Sequence, residues 1–401
     1  MHKFIAKRLD LIQPSPSLMA MGRAKQLAAS GEDICNMTAG EPDFPTPAHI
    51  IEAAYAALLA GDTKYTAVDG TMELKKAICA KFKRENGLSF GPEQISVGAG
   101  AKQVLYNAFT CTIDAGDEVI VPAPYWVSYP DIVRLNGGTP VFISASLDQD
   151  FKITAEQLRA AITPRTKWVI LNSPNNPSGA TYSSDELRRF GEVLSDYPHV
   201  HVLTDDIYEH LIYDDAIYAT FAQVNPHLID RTITVNGVSK AFAMTGWRIG
   251  YAAGPTPLIK AMEKLQSQTS GNPASVSQAG ALAALNGSMS FFDEWRAEYQ
   301  ARRDLIVSRL DGRYGLRCPS PKGAFYVYPS CADQIGKRTA KGQLIGNDGD
   351  FVMYLLNDFG VATVPGAAYG VSPAFRISFA TSTEIIEDAC SRILQACAEL
   401  T

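Results

Sequence analysis

The side chains best suited to chemistry in this sequence lie between Ser239 and Gly250, where a lysine and an arginine stand eight residues apart. Lys240 comes directly after a predicted strand, 232–236, and small residues surround it. Open α/β sheets place their ligands at the carboxyl ends of strands. A lysine held there in partly apolar surroundings has a lowered pKa and attacks carbonyl groups as a nucleophile. Most lysines at loop ends are simply solvated, so this segment alone leaves both interpretations open.

A second polar group, Asp205, Asp206 and Tyr208, stands at the end of another apolar strand. A carboxylate buried there needs a partner, because burying it alone costs several kcal/mol. A positively charged ring nitrogen of a ligand would serve, and Tyr208 could hydrogen bond to a ring oxygen. The alternative is a surface turn, in which Asp-Asp pairs are common.

Further segments would complete a site for a flat, anionic ligand. Small residues lead from 96 to Lys102, where a helix N-terminus would attract an anion. Trp126 follows a strand and could stack on a ligand ring, and Arg376 in an alternating strand suits bidentate binding of a carboxylate. Asn175 and Asn176 lie in a rigid, proline-rich loop. Each segment also has a purely structural interpretation as a turn, a core aromatic residue or an ion pair.

The elements that must position these residues alternate between strand and helix. The predicted strands are 94–98, 118–122, 139–143, 168–172, 200–204, 232–236 and 249–253. Helical patterns between several of them predict an α/β fold with a mainly parallel sheet covered on both faces. We expect a large domain near 46–290. A smaller α/β domain is expected from both chain ends, 1–45 and 291–401.

Composition excludes several classes of protein. The 401 residues carry a net charge of −6, with 46% hydrophobic and 19% charged residues, a balance that excludes disordered and fibrous proteins. No basic cluster or metal-binding spacing is present, so neither nucleic acid nor metal is an expected partner. The sequence has no apolar leader and no run long enough for a membrane span. Its seven scattered cysteines indicate reduced thiols, and we expect a cytoplasmic protein.

Taken together and in this order, these segments resemble the fold-type-I pyridoxal-phosphate aminotransferases, most closely the bacterial branch of aspartate aminotransferases. The similarity extends from about residue 13 to residue 398. Its motifs are AGEPDFPTP, KYT, PYWVSYP, NSPNNPSG, TDDIYEH, FRISFAT and the run from Ser239 to Gly250. The resemblance implies fold type I, pyridoxal 5'-phosphate as the cofactor and transamination by a ping-pong Schiff-base mechanism.

The resemblance also implies a role for each residue around the cofactor ring. Lys240 would bind the cofactor covalently and then transfer protons. Asp205 would pair with the ring nitrogen and keep it protonated. Tyr208 and Asn176 would hydrogen bond to the phenolic oxygen, and Trp126 would stack on the ring.

Phosphate and substrate contacts follow from the same resemblance. The phosphate would be bound by Arg248, Ser239 and the backbone of Gly100, Ala101 and Lys102. Tyr65 would reach the phosphate of the neighbouring subunit, which implies a homodimer. The substrate α-carboxylate would be bound by Arg376, Asn176 and the Gly40 backbone, and a distal acid group by Lys102 and Ser17. Gly237 stands where some relatives have a serine directed at the phosphate, so one hydrogen bond there is absent.

The expected reaction converts L-aspartate and 2-oxoglutarate to oxaloacetate and L-glutamate, because Lys102 offers a cation for the second carboxylate. An aminotransferase for prephenate or aromatic amino acids is the alternative, since Tyr65, Trp126 and Tyr208 supply an aromatic lining. Some relatives active on prephenate carry a lysine where this chain has Gln13. A pyridoxal-phosphate lyase or decarboxylase is less favoured. A cofactor-sensing transcription regulator is disfavoured, because no DNA-binding pattern precedes Gln13.

Overall fold

The computed structural model describes residues 4–401. Its strands are β1 (Cys35–Asn36), β2 (Ile95–Gly98), β3 (Glu118–Ala123), β4 (Thr139–Ser144), β5 (Thr166–Asn172), β6 (His201–Asp205), β7 (Thr232–Gly237), β8 (Gly250–Ala253), β9 (Tyr326–Val327), β10 (Val361–Ala362), β11 (Val364–Pro365) and β12 (Phe375–Ser378). Its α-helices are α1 (Pro16–Ala29), α2 (Ala48–Leu59), α3 (Met72–Asn86), α4 (Ala101–Thr110), α5 (Ser128–Leu135), α6 (Ala155–Ala161), α7 (Ser184–Ser195), α8 (Phe221–Val224), α9 (Thr256–Gln268), α10 (Ser275–Asn286), α11 (Phe291–Leu310), α12 (Asp348–Phe359) and α13 (Thr383–Glu399).

Seven strands form the central sheet in the order β2-β8-β7-β6-β5-β3-β4. β8 runs antiparallel to both of its neighbours, and the remaining pairs are parallel. The prediction of a mainly parallel sheet is therefore confirmed. Because β3, β5, β6 and β7 run in one direction, their carboxyl ends meet at the same edge of the sheet.

Strand β5 shows why both faces of this sheet are covered. Trp168 and Ile170 pack into one buried apolar cluster with α4, α5 and α9. Val169 and Leu171, which point to the other face, join a second cluster with α6 and α7. Successive side chains of a strand alternate between faces, so an uninterrupted apolar run requires a helical layer on each side.

The two chain ends form a second layer. β1 pairs in parallel with β10, and β12 lies between β11 and β9 in a small antiparallel sheet. Residues near position 35 therefore lie beside residues near position 361. This pairing agrees with a small domain made from both ends, and the boundaries at 46 and 290 stay a prediction.

Local sequence sets the ends of the helices. Thr71 caps α3, because its side chain accepts a hydrogen bond from the Leu74 N–H. Gly87 ends the same helix at φ 68°, a left-handed conformation that glycine adopts without a steric penalty. Within residues 4–401, none of the helices combines the length and apolarity needed to cross a membrane.

Candidate active site

A cavity of about 340 Å³ lies at the carboxyl edge of the parallel strands and is also lined by residues from both chain ends. Its size suits a small cofactor and substrate. The cavity brings together most of the predicted site residues: Ser17, Gly40, Ala101, Lys102, Trp126, Asn176, Asp205, Tyr208, Ser239, Lys240, Arg248 and Arg376. Gly100 lies just outside the lining, before α4. Tyr65 is not part of the lining, and it is 98% exposed.

Lys240 stands three residues beyond β7, with its amine directed into the cavity. Its Nζ donates a hydrogen bond to the Gly40 carbonyl and lies 5.8 Å from the centre of the Tyr208 ring. Burial lowers the pKa of Lys240 to about 8, against the opposing charge of Glu41. A substantial fraction of this amine is therefore neutral near physiological pH, as a nucleophile or base requires.

Asp205 ends β6 and presents one free oxygen. Its Oδ2 accepts a hydrogen bond from Tyr129 Oη at 2.7 Å, whereas its buried Oδ1 has no hydrogen-bond partner among residues 4–401. Burial raises the pKa of Asp205 to about 6. A buried carboxyl with one unpaired oxygen suits a cationic N–H donor, because such a donor would satisfy this oxygen and lower the pKa again.

Asn172 lines the cavity and holds the ends of β5 and β6 together. Its side chain donates to the Asp205 carbonyl at 2.8 Å and accepts from the Asn176 N–H at 2.9 Å. Tyr208 forms a hydrogen bond with Tyr326 through their hydroxyl groups at 2.9 Å. Burial raises the pKa of Tyr208 well above its ordinary value, so this hydroxyl remains a hydrogen-bond donor.

Arg376 on β12 is held in place from two directions. Nη1 donates to Asn176 Oδ1 at 3.0 Å, and Nη2 donates to the Thr38 carbonyl at 2.7 Å. The guanidinium lies 4.4 Å from the centre of the Tyr326 ring. Its buried Nε has no partner in the described chain, and no carboxylate there pairs with it. An incoming carboxylate would therefore find a fixed and uncompensated cation.

An anion site is formed where α4 begins. Gly100 precedes the helix at φ 87°, and a side chain there would collide with the Arg248 guanidinium. Arg248 donates to the Thr245 carbonyl at 2.9 Å and to the Ala99 carbonyl at 3.3 Å. The free N–H groups and dipole of the helix N-terminus attract an anion to the same place. Ser239 supplies a hydroxyl from the lining.

Lys102 is the remaining cation of the cavity. Its Nζ lies 4.8 Å from the centre of the Trp126 ring, and in the described part of the chain no carboxylate lies within salt-bridge distance of it. Burial, and secondarily the charge of Arg248, lowers its pKa. Ser17 Oγ lies 3.1 Å from Tyr369 Oη, so this hydroxyl is engaged with the protein.

These residues fit pyridoxal 5'-phosphate by their chemistry. Lys240 offers an amine for its aldehyde, and the unpaired oxygen of Asp205 offers an acceptor for its ring nitrogen. The anion site at Gly100 and Arg248 offers hydrogen-bond donors for its phosphate.

Sequence reasoning missed Tyr129, Asn172 and Tyr326, which contact the predicted residues directly. A signal for Tyr129 was present. It stands three residues after Trp126, and this spacing at the start of a helix places two side chains on one side. Asn172 and Tyr326 offered no such signal, because their contacts with Asp205 and Tyr208 join residues that are distant in sequence.

The chain matches the family model "Aminotransferase class I and II" over residues 32–393. It is 55% identical over 397 residues to the aspartate/prephenate aminotransferase of Cereibacter sphaeroides, covering 99% of both chains. It is 53% identical over 395 residues to the aspartate aminotransferase of Rhizobium meliloti, covering 98% of this chain and 96% of that one.

Solved structures agree with the sequence comparison. The crystal structure of the Rhizobium meliloti aspartate aminotransferase matches with a TM-score of 0.96 and 52% identity over 99% of both chains. The Thermus thermophilus aspartate aminotransferase with maleate matches with a TM-score of 0.92 and 40% identity over 98% of this chain and 99% of that one. With fold, site chemistry and relatives in agreement, the chain belongs to the class I and II aminotransferases.

Proposed function

We propose that this enzyme transfers the amino group of L-aspartate to 2-oxoglutarate, forming oxaloacetate and L-glutamate by ping-pong kinetics. The observation that carries the proposal is the second free cation of the cavity, Lys102, which has no carboxylate partner in the described chain. Together with Arg376 it provides two separate cations, one for each carboxylate of a four- or five-carbon diacid. A relative of 53% identity is named an aspartate aminotransferase, and the Thermus structure contains maleate, a diacid.

Aminotransferases of this family use pyridoxal 5'-phosphate and act on amino acids and oxo acids. When bound, the cofactor supplies an electron sink for the α-carbanion. Asp205, Tyr208 and Asn176 hold its ring and Trp126 stacks on it. Its phosphate is held by Arg248, Ser239 and the backbone of Gly100, Ala101 and Lys102.

The chain's own residues perform the proton transfers and orient the substrate. Lys240 Nζ would accept the proton of the substrate α-carbon and would deliver it to the cofactor instead of back to that carbon, a role that suits a pKa of about 8. Arg376 fixes the α-carboxylate, assisted by Asn176 and the Gly40 N–H. Arg376 lies on β12 and Gly40 follows β1, whereas Asn176 follows β5. The α-carboxylate would therefore be bound between the chain-end layer and the central sheet, and closure of that layer on the substrate would exclude water.

A second candidate is an aminotransferase for prephenate or aromatic amino acids. Leu18 and Met21 of α1 line the cavity, as does Trp126, so part of the lining suits an apolar ring. The relative of 55% identity is named an aspartate/prephenate aminotransferase. Gln13 brings no charge to this region, and for that reason aspartate remains the first choice.

The active unit is a homodimer in which Tyr65 contacts the cofactor phosphate of the partner subunit. Tyr65 is 98% exposed, and α2 nearby exposes apolar residues, of which Leu59 is 72% exposed. Exposed apolar surface of this kind is typical of an interface. The measurement is light scattering of the full-length enzyme, with dimer mass expected. A fully active monomer would contradict this assignment.

The cellular compartment is the cytoplasm. The seven cysteines are all free, and unpaired thiols are typical of a reducing compartment.

A half-reaction screen tests the proposed substrate. Purified enzyme is mixed with single amino acids while the visible absorbance of the bound cofactor is followed. Aspartate and glutamate are expected to react fastest. If alanine or tyrosine reacted far faster than aspartate, the role of Lys102 would be wrong. Fast reaction of both diacids and phenylalanine would favour the second candidate, which a prephenate assay then separates. Release of free ammonia or CO₂ without oxo-acid exchange would contradict aminotransfer.

A further inference from the structure

Tyr129 lines the cavity and joins two of its functional side chains. It belongs to the first turn of α5 and is 2% exposed. Its hydroxyl donates to Asp205 Oδ2 at 2.7 Å. Its ring packs edge-on against Trp126, with centroids 5.3 Å apart and planes at 80°. A single buried residue therefore contacts both the predicted partner of the ring nitrogen and the predicted stacking residue.

The hydrogen bond from Tyr129 determines which oxygen of Asp205 is available. Oδ2 is taken by the tyrosine, whereas the buried Oδ1 has no hydrogen-bond partner in residues 4–401. The Asp205 backbone carbonyl is fixed separately by the Asn172 side chain. The carboxyl plane is thus held at one oxygen, and the other oxygen is left for a ligand donor.

The same hydrogen bond opposes the effect of burial on Asp205. Burial raises the pKa of this carboxyl, while the hydrogen bond from Tyr129 lowers it, followed by the Ile207 backbone and the charge of Lys240. Without the Tyr129 hydroxyl the pKa of Asp205 would be higher, because burial favours the protonated acid. A protonated Asp205 offers a cationic ring nitrogen no negative charge.

We propose that Tyr129 is a positioning residue that orients Asp205 and keeps it ionised, so that a single carboxylate oxygen faces the cofactor ring nitrogen. This inference rests on the proposed role of Asp205. Tyr129 also lines the cavity, and the role proposed for its hydroxyl is exerted through the Asp205 carboxylate.

The test compares Tyr129→Phe with Tyr182→Phe. The first variant keeps the ring packed on Trp126 and removes only the hydroxyl. Tyr182 is a matched control outside the cavity lining, a buried tyrosine whose hydroxyl accepts one hydrogen bond from the Ile153 N–H at 3.1 Å.

The first readout is the dissociation constant of pyridoxal 5'-phosphate, measured by quenching of tryptophan fluorescence in the cofactor-free full-length protein. Hydrogen bonds to charged groups contribute enough that we expect Tyr129→Phe to bind roughly tenfold to hundredfold more weakly than wild type. Tyr182→Phe should change binding by less than about threefold, since its partner lies outside the site. Equal affinities of Tyr129→Phe and Tyr182→Phe would overturn the inference.

The second readout is the stability of the cofactor-free protein at pH 4.5 and pH 8. The folded pKa of Asp205 lies above its unfolded value, so its ionisation destabilises the fold as pH rises through about 6. Tyr129→Phe raises that pKa further, and its loss of stability relative to wild type should be larger at pH 8 than at pH 4.5. An equal loss at both pH values would mean that the tyrosine only packs, which contradicts the proposal.

Asp205→Asn distinguishes a failure of the proposed role of Asp205 from a failure of the proposed role of Tyr129. If this variant binds the cofactor as tightly as wild type, the proposed role of Asp205 itself fails. If Asp205→Asn weakens binding and Tyr129→Phe does not, only the inference about Tyr129 fails.

Discussion

The cavity has two unlike walls. The cofactor wall consists of Asp205, Tyr208, Ser239 and Lys240 at the carboxyl ends of β6 and β7, and the entrance wall consists of Ser17, Leu18 and Met21 on α1. Asp205 and Tyr208 are buried, whereas Leu18 is 58% exposed although it lines the cavity. The cofactor wall is held in place by a central sheet, in which β6 and β7 each pair with a strand on both sides. The entrance wall belongs to a single helix near the N-terminal end of the described chain.

This difference indicates that the cofactor wall performs the chemistry and that the entrance wall influences substrate specificity. Proton transfer needs fixed groups, and strand ends within a packed sheet provide them. Substrate choice depends on which side chains face the incoming group, and these can change on an exposed helix without disturbing the sheet. Changes to the cofactor wall should therefore affect all substrates alike, and changes nearer the entrance should distinguish between substrates.

The largest loss is expected from Lys240→Ala on the cofactor wall. Without this amine no group accepts the α-proton, and general acid–base catalysis alone contributes roughly 10²–10⁴-fold. Steady-state rates with aspartate and with tyrosine should fall together by at least that factor. Lys260→Ala, which removes a lysine paired with Glu263 on the surface of α9, is the control and should retain wild-type rates. Substantial activity of Lys240→Ala would refute the assignment.

Arg376→Lys should have the next largest effect. The substitution keeps the charge but loses the planar fork that contacts Asn176 and Thr38. We expect kcat/KM to fall roughly tenfold to hundredfold with every amino acid, because each has an α-carboxylate. Cofactor affinity should not change. A loss confined to diacids would mean that Arg376 binds the distal carboxylate instead.

Lys102→Met should distinguish between substrates. Removing this cation is expected to lower kcat/KM for aspartate and glutamate by roughly tenfold to hundredfold, and for alanine by less than about threefold. Methionine keeps most of the apolar stem that packs near Trp126. Equal losses of kcat/KM with mono- and dicarboxylic amino donors would indicate that the Lys102 side chain binds the cofactor phosphate instead.

The lowered pKa of Lys240 predicts a pH dependence in the cofactor-free protein. Its folded value of about 8 lies below the ordinary 10.5, so the unfolded chain binds more protons between these two pH values. The free energy of unfolding should therefore receive a contribution from this group that rises from pH 8 to pH 10.5. Denaturant titrations of wild type and Lys240→Met measure it, and parallel curves would contradict the lowered pKa.

The smallest effect is expected from Leu18→Ala on the entrance wall. A partly exposed leucine contributes little to stability, but its loss removes apolar contact with a bulky substrate. Phenylalanine and prephenate should react roughly threefold to tenfold less efficiently, and aspartate should be unaffected. Equal effects on aspartate and phenylalanine would remove the distinction between the two walls.

Sequence patterns predicted the sheet and most of the cavity because these depend on local signals. Apolar runs identified β5 and β6, since the predicted strands 168–172 and 200–204 lie within two residues of the observed Thr166–Asn172 and His201–Asp205.

The contacts that hold the site together were harder to predict. The Tyr129–Asp205 and Asn172–Asp205 hydrogen bonds depend on how α5 and β5 pack against β6, and no local pattern encodes that register. Tyr208 was predicted to face the cofactor, but its hydroxyl contact with Tyr326 depends on how β9 is placed over the sheet. The role of Tyr65 remains a prediction, because it concerns a partner subunit.

The hydrogen bond from Arg376 to the Thr38 carbonyl spans 338 positions of the chain, and this has a consequence during synthesis. All strands of the central sheet lie before residue 254 and can pair while the last segment is still within the ribosome. The carboxylate-binding arginine is among the last parts to emerge, and its anchor is among the first. A growing chain therefore contains the residues assigned to the cofactor, up to Arg248, before it contains the arginine assigned to the substrate carboxylate.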